Sequence, residues 1–305
     1  MKKFLMASAA LALAGTVSFA QTAPAQQKPP APAQTPAQKP SASPSAPAAP
    51  ATSTAPKVAK APEAKTPEEY KAYQEAVAIT EPTAAEAAAD AFAQKYPNSE
   101  LRVAAYSMIL QKAYETNDTA RILTLGRKVL AIEPDNAMTQ VVTATALAET
   151  TRETDIDSAE KFGEATKLAD GALKSIETMV PQPNVTPEQF ETLRTVLRSM
   201  AYSAKGYMAM NKKDYVGGEV NFQKAIDANP PQQDPVMYLR LAVAQDNQKK
   251  YPQGYANAVK AVQIAEAQQN PQVANLARTE RDRLQKLMGS APPAKAAAPA
   301  TPPKQ

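Results

Sequence analysis

The segment Asn211–Ile226 returns 36 residues later as Asn247–Val262. Seven of the sixteen positions are identical: Asn211/Asn247, Lys213/Lys249, Tyr215/Tyr251, Gly218/Gly254, Asn221/Asn257, Lys224/Lys260 and Ala225/Ala261. At the same shift Tyr202 meets Tyr238, and the small residues Gly206 and Ala242 correspond. A period of roughly 20–50 residues marks a supersecondary unit that cannot bury its apolar face alone and must stack on its neighbour. This one feature removes most globular architectures from consideration.

The repeated unit reads as a pair of helices. Ile122, Leu125, Val129 and Leu130 fall on one helical stripe. In 235–248, Val236, Leu239 and Val243 form one stripe and Met237, Leu241 and Ala244 a second, as in a helix packed between neighbours. Helix starts are frequent. Thr66-Pro67-Glu68-Glu69 and Thr186-Pro187-Glu188-Gln189 combine a capping residue, an N1 proline and a returning acid or amide. Asp234-Pro235 and Asn270-Pro271 repeat the first two elements, and Thr83…Glu86 and Asp157…Glu160 read as capping boxes. Strand patterns are absent. The expectation is all-α, with helices near 67–79, 83–96, 99–116, 118–131, 135–151, 157–180, 187–211, 214–228, 235–248, 252–268 and 271–288. Short connections make this about five antiparallel hairpins and a capping helix.

The pattern resembles the tetratricopeptide repeat. Tyr202 stands where that family has a large aromatic early in its first helix, and Gly206 at the following small residue. Tyr215 resembles its turn tyrosine, Gly218 the small residue of the second helix and Phe222 the next aromatic. Ala225 and Pro230 match the later alanine and the closing proline. The following copy keeps Tyr238, Ala242, Tyr251, Gly254 and Ala261 but has Ala258 at the aromatic position. Fainter copies carry Tyr106 with Pro134 and Phe92 with Pro97, whereas 135–180 departs from the pattern. The resemblance implies a right-handed superhelical solenoid over 67–290, whose groove holds a segment of another protein. It places Met200, Ser203, Tyr207, Met210 and Asn211 of one repeat on that groove, with Val236, Leu239, Val243, Asp246 and Asn247 of the next. Only Asn211 and Asn247 keep the polar character of carboxylate-clamping relatives, so an apolar peptide face or a helix fits better. Core packing is the alternative role for part of this set.

The regions outside the repeats have a different grammar. Residues 1–20 read as a cleavable signal peptide, with Lys2-Lys3, an apolar run from Phe4 to Val17, and Ser18-Phe19-Ala20 as the cleavage site. Export to the periplasm or the extracellular space is therefore expected, with no membrane span after cleavage at Ala20. Residues 21–66 hold eleven of the 28 prolines among Ala, Ser, Thr, Gln and Lys, and 291–305 hold five more. Such composition reads as disordered spacer arms. The lysines of these arms and of the signal peptide exceed the chain's net charge of +4, so 67–290 is net acidic. A nucleic-acid footprint on the helical part is not expected. Basic arms held by an anionic cell-envelope polymer form the alternative to a groove-bound protein or peptide partner.

The chain has no Cys and no His. That removes disulfides, the usual zinc ligands and the commonest general base, and no metal or cofactor is expected. Ser158-Ala159-Glu160-Lys161 matches an S-x-x-K pattern, but the S-D-N and K-T-G partners of that chemistry are missing. Glu153, Asp155 and Asp157 lack the glycine and the distal acid of a calcium loop. Met200, Met208 and Met210 recur at helical spacing, the mark of packing rather than of a soft metal site. The reading is a binding protein, not an enzyme.

Overall fold

The computed structural model describes residues 59–290, apart from 184 and 232. The signal peptide, most of the linker and the C-terminal arm lie outside the described residues, so those three readings have no structural counterpart here. The described chain forms eleven helices and no strand: α1 Pro67–Val77, α2 Pro82–Lys95, α3 Leu101–Glu115, α4 Thr119–Ile132, α5 Ala137–Thr150, α6 Ser158–Thr178, α7 Pro187–Asn211, α8 Tyr215–Ala228, α9 Pro235–Asn247, α10 Tyr251–Ala267 and α11 Pro271–Ser290. Each packs on the next, and α1 on α3, α5 on α7 and α9 on α11 also touch. This is the order of stacked hairpins closed by a final helix.

Local chemistry explains most boundaries. The Glu69 backbone N–H donates to Thr66 Oγ1 at 3.1 Å, and Thr186 and Gln189 cap each other reciprocally at α7. Asp118, Asn136 and Asp214 accept amides of the first turns of α4, α5 and α8. Two starts differ from expectation. Helix α2 begins at Pro82, because Glu81 accepts the Thr83 and Ala84 amides at 3.0 and 2.6 Å. Glu86 is thereby released to bind Lys128 of α4 at 2.9 Å. Asp157 makes no side-chain cap and pairs instead with Lys161 at 2.9 Å.

The turns repeat as well. Asn117, Lys213, Lys249 and Gln269 all have φ between 54° and 60°, in the left-handed region. The following amide, of Asp118, Asp214, Lys250 or Asn270, donates back to the carbonyl five residues earlier at 2.8–2.9 Å. Each turn thus satisfies a helix-end carbonyl without glycine, at a conformational cost of roughly 1–2 kcal/mol.

Burial is divided among local clusters along the stack, as nearest-neighbour repeats require. Leu101, Ile122 and Leu125 anchor the first, Leu197 and Ile176 a middle one, and Phe222 and Leu241 the cluster between α8 and α9. Each fully buried side chain of this size contributes about 1.5–3 kcal/mol. The centre is irregular in length: α6 and α7 have 21 and 25 residues. Their extra turns are joined by Arg194 and Arg198, which both bind Glu177. Residues 59–65, outside any helix, also touch the folded part. The Ala59 N–H donates to the Pro181 carbonyl at 2.9 Å, and the Glu63 N–H to Glu100 Oε2 at 3.2 Å. No described helix is long and apolar enough to cross a membrane.

Candidate functional site

The first helices of hairpins two to five bring a set of polar side chains into mutual electrostatic reach. Tyr114 comes from the last turn of α3, Glu149 from the last turn of α5, Tyr207 from α7, and Asp234 and Arg240 from the cap and body of α9. All five are half-buried. We call the side of these helices that carries them the inner face.

Packing fixes the positions. Gly206 lets Phe222 close onto α7, and the edge of Tyr207 meets the Phe222 ring with centroids 5.5 Å apart at 85°. The Arg240 guanidinium carbon lies 5.2 Å from the Tyr207 centroid, within cation–π range. Asn211 Nδ2 donates to the Ala148 and Thr151 carbonyls at 2.9 and 3.1 Å, which ties the end of α5, and with it Glu149, to α7.

The electrostatics follow from this crowding. Desolvation, reinforced by Asp234 and opposed by Arg240, pushes the Glu149 carboxyl up to about 7. Burial raises Asp234 too, against the stabilising amides of Val236 and Met237. The Tyr114 and Tyr207 phenols are raised, first by burial and next by Glu149. Glu149 therefore meets the Arg240 guanidinium, and Asp234 the first amides of α9, in a poorly solvated place. Such a group of side chains can hold a charged or hydrogen-bonding ligand group; it contains no nucleophile paired with a base.

The positions expected on the groove are distributed. Tyr207, Met210 and Val236 come together around Phe222. Met200 packs on the cluster of Ile176 and Leu197, Ser203 is buried, and Leu239 lies on Ala261 and Ala277. Val243 is half-buried and its carbonyl accepts the side chain of exposed Asn247 at 2.8 Å. Asp246 forms an ion pair with Arg283 of α11. Tyr114, Glu149 and Arg240 fall outside the expected set, and Asp234 is legible in sequence only as a cap. A signal for two of them exists: Glu149 is the sole charge in α5, and Arg240 stands between Leu239 and Leu241 in a helix apolar on two sides. The other motifs have structural employment. Ser158 Oγ donates to the Glu153 carbonyl, Glu153 pairs with Lys213 at 2.8 Å, and Asp155 accepts the Arg152 amide.

Stacked hairpins with this register of small and aromatic residues define a tetratricopeptide-like helical repeat protein. No family model matches the chain, and no curated protein sequence matches it significantly. Among solved structures, a double mutant titled MamA RS-1 ArsTM aligns over 66% of this chain and 94% of its own at 13% identity, with a TM-score of 0.46. A thermophilic TPR protein of Thermus thermophilus, TTC0263, aligns over 72% of this chain and 98% of its own, with 14% identity and a TM-score of 0.40. A second MamA structure covers 61% of this chain and 88% of its own, at 18% identity and a TM-score of 0.35.

Proposed function

We propose that this chain is an exported scaffold that holds a segment of another protein along the inner face of α3, α5, α7 and α9. The reading rests on one observation: four successive hairpins direct half-buried tyrosines and charged groups to a common place. A stack held together only by apolar clusters has no need of ionisable groups there, since desolvating them opposes folding. Binding a partner gives them a use.

The test is capture. The purified mature chain, immobilised, is exposed to an envelope extract, and the retained protein is identified. Tyr114→Ala combined with Arg240→Ala is expected to weaken retention of that protein at least about tenfold, a loss of about 1.4 kcal/mol, while the far-ultraviolet spectrum stays helical. Equal retention by the variant would place the interaction elsewhere. Export rests on the first twenty residues, and N-terminal sequencing of the secreted or periplasmic form should begin at Gln21.

A further inference from the structure

We infer that residues 59–65 are a strap, which fixes the relative rotation of the first hairpins by tying them to the connection between α6 and α7. This holds whatever the inner face binds. In a repeat stack each hairpin rests on its neighbours, so its form is the sum of small rotations at successive interfaces. The main helix packing here follows that rule, joining each helix to the next or the next but one. The segment before α1 departs from it. The Ala59 N–H donates to the Pro181 carbonyl at 2.9 Å, reaching in sequence past all of α1 to α6.

The strap is attached at both ends and in the middle. At its lower end the Lys65 N–H donates to Glu69 Oε2 at 2.7 Å, and Glu69 is buried in α1. Ala64 packs on the first core cluster. In the middle the Glu63 N–H donates at 3.2 Å to Glu100 Oε2, where the turn from α2 enters α3. Glu100 makes no side-chain cap for α3, which leaves its carboxylate for this contact. The bond to Pro181 closes the upper end. Four residues of chain, from Ala59 to Glu63, reach at most about 14 Å, so Glu100 and the α6–α7 connection are held within a fixed span. In an antiparallel stack both places lie on the edge where one hairpin hands the chain to the next. The hairpins between them cannot splay at that edge unless a bond of the strap breaks. Because the strap lies outside any helix, it can open without unfolding one.

The chain has no Cys, so two introduced cysteines can report on the tie. Nitroxide labels at Lys71→Cys of α1 and Thr192→Cys of α7, both exposed positions, are measured by pulsed electron paramagnetic resonance in the mature chain. A narrow distance distribution is expected. It should widen about twofold in Ala59→Pro/Glu100→Ala, which removes a donor and an acceptor at positions outside the helices. Ala59→Gly and Glu100→Gln keep the donor and an acceptor, and should keep the narrow distribution. Hydrogen exchange needs no substitution: the Ala59 and Glu63 amides of the parent should exchange at least about tenfold more slowly than unstructured amides. A broad distribution in the parent, or equal widths in the parent and the double variant, would overturn the strap. So would an unprotected Ala59 amide.

Discussion

The ring of Phe222 stands where a side chain at residue 206 would have to go. A Cβ built on Gly206 would lie 2.6–2.9 Å from three carbons of that ring, and Phe222 is itself fully buried. The glycine in the middle of α7 is therefore required by the closeness of α8, against a helix-propensity cost of about 1 kcal/mol.

Gly206→Ala is expected to destabilise the protein by about 1–3 kcal/mol, because Phe222 has no room to retreat. Gly163 of α6 supplies the opposite case: nothing lies within 4 Å of its Cβ position, and the residue is exposed. Gly163→Ala should therefore stabilise by about 0.5–1 kcal/mol. Urea denaturation of the two variants separates the effects by sign.

Lys249 takes φ 60° at the turn between α9 and α10, where a β-carbon is strained. Lys249→Gly should raise the melting temperature, with relief of up to about 1 kcal/mol after the greater freedom of an unfolded glycine is deducted. Lys249→Val should lower it, since a β-branched residue tolerates this region least. Thermal denaturation that ranks valine above lysine would contradict the geometry.

Glu149 predicts a pH dependence whose sign can be worked out. Its folded carboxyl titrates at about 7, against an ordinary glutamate value of 4.5. Between those values the folded chain keeps the proton and the unfolded chain has lost it, so stability falls as pH rises through this window. The contribution is complete below about pH 4.5 and gone above the folded value. Glu149→Gln should flatten the profile, matching the parent at pH 5 and exceeding it at pH 8 in urea midpoint. Asp234, raised by burial in the same surroundings, leaves a slope of the same sign in the variant.

Much of this architecture is written in local signals. Capping residues, N1 prolines and the 36-residue recurrence act over a few residues or one repeat, and they locate all eleven helices to within a few residues. Even the close approach at Gly206 follows from a glycine that propensity alone disfavours. The inner face is much less legible. Its members come from α3, α5, α7 and α9, and their meeting depends on the relative rotation of successive hairpins, which no local pattern encodes. The family register assumes uniform stacking. Here Leu239 and Ser203 are instead spent on packing, and Glu149 and Arg240 are left to meet Tyr207. The start of α2 escapes the sequence pattern for a related reason: Glu81 is a rarer cap than Thr83, and only the three-dimensional pairing of Glu86 with Lys128 shows which residue does the capping.

Asn211 and Asn247 occupy the same register and are chemically identical, yet the structure gives them unequal roles. Asn211 bonds two carbonyls at the end of α5, joining separate hairpins, whereas Asn247 is exposed and returns to Val243 of its own helix. Asn211→Ala removes the donor for partly buried carbonyls and should cost about 1–3 kcal/mol. Asn247→Ala exchanges an exposed intrahelical bond for water and should change stability by less than about 0.5 kcal/mol. Hydrogen exchange refines the test: loss of Asn211 should speed exchange in the last turn of α5 more than elsewhere, because the bonds hold that turn to α7. Asn247→Ala should leave that exchange unchanged, so repeat register alone cannot account for the difference between them.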